Sequence, residues 1–333
     1  MIWGKGDRAR VIDRCRSIAY FFGSGILLLE LSTGASAQRA AAVRPTDTVT
    51  VTIKTEPNAT VWIDGVRFGR TGEDGVLAIR SAPSGRRTVR VRADGLKEVE
   101  KPVALSAGSA VAIALSKTTD KAELTFQEAE RLALRDRQKS ADAYRAAIKL
   151  RPTYVAAHIG LARILSESGD TENALRAVRD VRRIAPRNAE ASAIEGRIFK
   201  DTGEEEKAIA AFKRAIAEGR GFQPEALTGL GLIFKERAET VGGVGNFDQE
   251  SADYEQSGRY LRQALQQLAG APDATVIYQL LGLVLERQKK FDEAIAIYNE
   301  FIRRFPDSNE VPTVKSFIEQ LRKQRDDQPQ QPL

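Results

Sequence analysis

Side chains that do chemistry are scarce in this chain. Its 333 residues include one histidine, His158, and one cysteine, Cys15. A Ser-His-Asp or Cys-His arrangement would have to run through His158 alone. One thiol permits neither a cysteine-rich zinc site nor a disulfide framework. No GxxxxGK[ST] phosphate loop and no HExxH pair occurs. The acids Asp248, Glu250, Asp253 and Glu255 lack the spacing of a calcium loop and read as a solvated loop leading into a helix. No nucleophile, metal cluster or cofactor loop emerges, so the expectation is a non-enzyme with no catalytic, cofactor-binding or metal-binding residues.

What remains is recognition chemistry. Thr88, Arg90 and Arg92 alternate along one strand face, with Arg80, Arg86 and Arg87 close in sequence. Such a face would attract an anionic polymer, and a solvated sheet face has the same pattern. Trp62 is either a stacking platform for a sugar or a packed strand aromatic. The overall balance is 51 Lys+Arg against 45 Asp+Glu, a formal +6. The excess is spread along the chain, so nucleic acid is not an expected partner. With 42% hydrophobic and 29% charged residues, most of the chain can bury a core.

The first residues read as an address. Lys5, Arg8, Arg10, Arg14 and Arg16 precede the apolar runs 18–22 and 26–29, and Ala35-Ser36-Ala37 precedes Gln38. A basic segment, a short apolar segment and an A-x-A site make a secretory signal peptide over residues 1–37, cut between Ala37 and Gln38. The alternative, an uncleaved anchor, is disfavoured because the run is shorter than the roughly 20 residues a span needs and Glu30 interrupts it. Membrane contact is then confined to export. The mature chain is expected in the periplasm or cell envelope, or secreted. Residues 38–46 read as a linker.

Residues 47–117 have a period of two. Val49, Val51 and Ile53 alternate with polar residues, as do Val89 and Val91, and Asp-Gly pairs stand at 64–65, 74–75 and 94–95. Short alternating strands with turn signals predict a small antiparallel β-sandwich. The run Thr55-Glu56-Pro57-Asn58-Ala59-Thr60-Val61-Trp62-Ile63-Asp64-Gly65, followed by Gly69-Arg70-Thr71 and later Pro83-Ser84-Gly85 and Gly95, resembles the PEGA domain. Asn58 stands where that family usually has glycine. The resemblance implies a surface or envelope β-sandwich and no particular activity.

From Ala122 the period becomes helical, and positions recur. Pro152 and Pro186 are 34 residues apart, as are Ala174 and Ala208. The segment 275–308 carries Tyr278, Leu281, Gly282, Leu285, Ala294, Tyr298, Phe301 and Pro306. These offsets resemble tetratricopeptide repeats, about five of them over residues 121–308. An insertion near 238–252, with glycines at 242, 243 and 245, predicts a flexible loop. Residues 309–325 predict a capping helix, and 326–333 a disordered Gln/Pro-rich tail. His158 falls where the repeat wants a large packing residue. The fold class is therefore multidomain β + α: a sandwich followed by an all-α solenoid. With the two modules joined at 117–120, few contacts are expected across that junction.

The tetratricopeptide resemblance implies a concave groove that binds a protein or peptide. First-helix positions 2, 5, 9, 12 and 13 then face it: Ala156, Ile159, Arg163, Ser166 and Glu167; Glu190, Ala193, Arg197, Lys200 and Asp201; Glu225, Thr228, Leu232, Lys235 and Glu236. Arg163 and Arg197 should stack along the axis, with Lys200 and Lys235 as a second pair. That track would suit an acidic segment or a free carboxylate, although Glu167, Asp201 and Glu236 partly neutralise it. The functional expectation is an exported envelope adaptor or scaffold. The alternative is an envelope glycan- or anionic-polymer-binding protein acting through Arg90 and Arg92, with the repeats as spacer.

Overall fold

The computed structural model describes residues 48–327. The expected signal peptide with its cleavage site at Ala37 and Gln38, the expected linker and most of the tail lie outside the described residues. Strands β1 (Thr48–Lys54), β2 (Thr60–Ile63), β3 (Val66–Arg70), β4 (Val76–Pro83), β5 (Gly85–Arg92), β6 (Val99–Leu105) and β7 (Ala110–Ala112) form two sheets. Their orders are β4-β1-β7 and β3-β2-β5-β6. All pairings are antiparallel except β1 with β7, where Thr52, Ile53 and Lys54 face Ala110, Val111 and Ala112 in parallel. The chain reaches β7 by crossing from the other sheet, so no hairpin dictates its direction.

The alternation holds side by side. Val51, Ile53, Val61, Ile63, Val89 and Val91 are all buried in the core between the sheets. Asp64 (φ 50°) and Gly65 (φ 82°) make the two left-handed residues of the β2–β3 turn. Asn58, in the place of the usual glycine, has φ 56°. Asparagine tolerates that left-handed conformation, which explains how the motif survives the exchange. Thr71 is buried: its hydroxyl donates to the Glu56 carbonyl (2.7 Å) and accepts from the Ala59 amide (2.8 Å). It closes the loop that precedes β2.

Eleven helices follow: α1 (Lys121–Leu132), α2 (Arg137–Leu150), α3 (Val155–Glu167), α4 (Thr171–Ile184), α5 (Ala189–Asp201), α6 (Glu205–Glu218), α7 (Pro224–Gly243), α8 (Phe247–Leu268), α9 (Ala274–Arg287), α10 (Phe291–Arg304) and α11 (Val311–Asp326). Asp120, Asp136, Asp170, Asn188 and Asn246 cap α1, α2, α4, α5 and α8, each accepting from amides of the first turn. The helices pack as hairpins, and an aromatic wedge with glycine beside it sets their spacing. Phe212 on α6 lies against Gly196 of its own hairpin and Gly229 of the next, where added Cβ atoms would come within 2.5 and 2.3 Å of its ring. His158 is buried and hydrogen-bonded through Nε2 to the Pro152 carbonyl at 2.9 Å.

Two expectations are corrected. The insertion is not a flexible loop. It lengthens α7 and α8 to 20 and 22 residues and leaves only three residues between them. Extending an existing helix adds one hydrogen bond per residue fixed, which costs less than ordering a separate loop. Asp253 is not solvated: it is buried on α8 and receives Arg237 Nε (2.9 Å) and Nη2 (2.5 Å).

Contacts between the two modules are few, as expected, but they are not confined to the 117–120 junction. The β domain packs on the array in two places. At α1, Gln127 accepts from the Gly95 amide and donates to the Leu96 carbonyl, both at 2.8 Å. At the α8–α9 turn, the Gly270 amide donates to the Ser81 carbonyl at 3.1 Å. The buried apolar residues of the sandwich run on into those of α7–α11 as one cluster. The solenoid curves, and its later turns return to the domain from which it started.

Candidate binding site

The first helices of successive hairpins, α3, α5 and α7, approach one another across the stack, while the second helices α4, α6 and α8 are held farther apart. The first helices therefore line the concave side. On α3, residues three and four apart share a face, which brings Ile159, Arg163, Ser166 and Glu167 into one row. Ile159 and Ala193 are buried, so these two pack between helices and do not face a ligand.

The four cations expected in the groove come together, but none stands free. Arg163 donates to Glu190 of α5 (3.0 Å) and to Glu225 of α7 (3.1 Å). Arg197 lies 3.8 Å from Glu167 and 3.7 Å from Glu225. Lys200 is 3.6 Å from Glu236, and Lys235 is 2.8 Å from Glu239. Lys200 keeps 8% of its side-chain exposure and Glu236 keeps 48%, so the cation lies beneath the acid. The expected cationic track is therefore a neutralised network, because each cation is close to a carboxylate of its own or a neighbouring helix. Glu239 was not legible as a groove residue. Its signal is the i,i+4 spacing from Lys235.

The electrostatics follow the geometry. Burial pushes the Glu225 carboxyl up, but Arg163 and Arg197 outweigh it and hold the group below its ordinary value. Glu225 in turn is the main reason that the Arg163 guanidinium titrates above its ordinary range. Asp201 is raised by burial, and the nearby Lys200 and Arg197 only partly offset that. The Ser166 hydroxyl and Arg197 Nη2 are buried with no hydrogen-bond partner.

Arg90 and Arg92 do not form an open polymer-binding face. The Arg92 guanidinium is 5.2 Å from the Trp62 ring centre and 4.6 Å from that of Phe126 on α1. It pairs with Glu98 and with Glu130 of α1, and 11% of its side chain is exposed. Arg90 covers Trp62 at 4.5 Å, so Trp62 is packed and is no bare stacking platform. The cause is α1, which lies on the arginine face of β5. Among the described residues no group of three or more His, Cys, Asp or Glu side chains is placed to hold a metal, and no helix is long and apolar enough to cross a membrane.

Comparison with known proteins agrees with this architecture. Models described as tetratricopeptide repeat match residues 131–198, 189–217 and 278–308, and the PEGA domain model matches residues 48–119. No catalytic family is among these matches. No curated protein matches the chain in sequence. Among solved structures, yeast Tom70 is 15% identical with a TM-score of 0.50, over 62% of this chain and 41% of its own. The Cut9–Hcn1 hetero-tetramer of the APC/C is 15% identical (TM-score 0.49; 62% and 37%). Pseudomonas aeruginosa pilF is 14% identical (TM-score 0.47; 62% and 86%). The chain spans less than half of the first two, and likeness at such identity concerns the fold alone. From the matched segments and the helical stack, the chain carries a PEGA domain followed by tetratricopeptide repeats.

Proposed function

We propose that this protein is an exported, non-enzymatic adaptor of the cell envelope whose concave helical face binds a protein segment. The observation that carries this reading is the row of first helices presenting unlike side chains to one open side. Charged pairs stand on α3, α5 and α7, and the half-exposed Val276 stands on α9. Repeats of this kind act as protein-interaction scaffolds, and the PEGA domain is consistent with an envelope location. The groove is close to neutral in sum, so an extended segment of mixed character suits it better than a purely acidic one. The polymer-binding alternative loses its main support once Arg92 is committed to Glu98 and Glu130.

The test places a photo-crosslinking residue at Thr228 or Leu232 on α7, and as a comparison at the exposed Glu172 or Arg176 on α4. Adducts are expected from the α7 positions only. Adducts confined to the α4 positions, or none at all, would remove the groove from the function. Export is checked by intact mass, which should match a chain beginning at Gln38. A mass retaining residues 1–37 in the envelope would make the segment an anchor.

A further inference from the structure

Gly270 has no backbone reason to be glycine. It is not among the residues with left-handed φ, where glycine is favoured. What excludes a side chain is the β domain: a Cβ on Gly270 would lie 2.3 Å from Ser81 Cβ and 3.0 Å from the Ser81 carbonyl oxygen. The closeness of two parts of the fold almost 190 residues apart in sequence is built into this one position. Arg80 meets Asp307 of the α10–α11 turn at 3.1 Å beside it. At the other end of the array, Arg92, Gln127 and Glu123 tie β5 and the segment after it to α1.

The β domain thus touches the first repeat and the turns after α8 and α10 at once. Between these two anchors the first helices α3, α5 and α7 crowd together. Arg163 of α3 reaches across α5 to Glu225 of α7, and Arg197 joins the same carboxylate. A segment entering the groove there must displace this network.

We propose that the β domain is a clasp. Docked at both ends, it holds the array at the curvature at which the Arg163–Glu225–Arg197 network closes the groove floor, and release of the Ser81–Gly270 contact opens it. The proposal rests on the reading of the concave face as the binding surface, whose regulation it describes. Packed elements of this kind switch between discrete arrangements, because interfaces are not continuously deformable.

The experiment uses the full chain with Cys15→Ser, which frees the sequence of thiols. Spin labels at Arg86→Cys on β5 and Lys315→Cys on α11 report the distance between domain and array end by pulsed electron paramagnetic resonance. In a separate protein, Ser166→Cys reports access to the groove by its rate of reaction with a maleimide. With Gly270 intact, one narrow distance distribution and slow labelling are expected. Gly270→Val should broaden and lengthen the distribution and speed labelling at least about fivefold, as local opening exposes the site. Gly270→Ala should act in the same direction, and adding Ser81→Gly should restore the narrow distribution, which a merely misfolded protein would not do. Unchanged distances in a folded Gly270→Val protein overturn the clasp. Changed distances with an unchanged labelling rate overturn its control of the groove. Neither measurement uses a partner, so either failure leaves the groove reading to its own crosslinking test.

Discussion

The buried Asp253 and the half-buried Glu225 are both held below their ordinary values by arginines, and both depend on pH in the same sense. In Asp253, burial pushes the group up while hydrogen bonds from Arg237 and Gln249 pull it further down, so the folded value lies below the ordinary 3.8. A carboxylate lowered by folding stabilises the fold above its unfolded value, and the contribution fades as the pH falls through the lowered folded one. Asp253→Asn should therefore cost about 1–2 kcal/mol at neutral pH, because Arg237 loses its charge-assisted bonds to Asp253 but keeps Glu205 at 3.5 Å and stays partly open to solvent. Melting curves at pH 7 and at about pH 3 check this: the difference between variant and parent should shrink in acid. Equal differences at both pH values would show that the pair is not what titrates.

At the level of the element, the hairpin is set by small residues meeting aromatics. Phe212 is buried between Gly196 and Gly229, so truncation leaves a void that rigid helices cannot close. Phe212→Ala is expected to destabilise by about 3–5 kcal/mol, measured by urea unfolding. The long α7–α8 hairpin behaves differently at its tip. Val244 is 81% and Phe247 70% exposed, so Val244→Ser and Phe247→Ser should leave stability within about 0.5 kcal/mol in the same measurement. A large loss there would mean that the tip packs on something.

The whole molecule is a domain and an array that share contacts at both ends of the stack. Deleting residues 48–117 exposes Phe126, which the Arg92 guanidinium covers, and leaves Gln127 without its two backbone partners. The array alone, residues 118–327, should keep a helical circular dichroism spectrum and melt at least about 5 °C below the intact protein. A loss of 1 kcal/mol moves the midpoint by about 2–4 °C in a domain of this size. An unchanged midpoint would mean that the two modules are energetically independent.

Local pattern was enough for much of this. The period-two run Val49–Ile53, the Asp64-Gly65 turn and the recurring Ala, Gly and aromatic offsets fix strands, hairpins and repeats, because each depends on residues close in sequence. The placing of Arg163, Arg197, Lys200 and Lys235 on the first helices came from the tetratricopeptide resemblance together with helical spacing, which did not show that Ile159 and Ala193 of the same rows are buried. Tertiary structure decided the rest. It set the pairing of Arg163, Arg197 and Lys200 with carboxylates on neighbouring helices, the burial of Asp253, and the cover that α1 lays over Arg92. It also set the return of the array to the β domain at Gly270. The pairs depend on how neighbouring helices and the β domain pack, and the return to Gly270 depends on rotations summed over many repeats, which no short window of sequence contains.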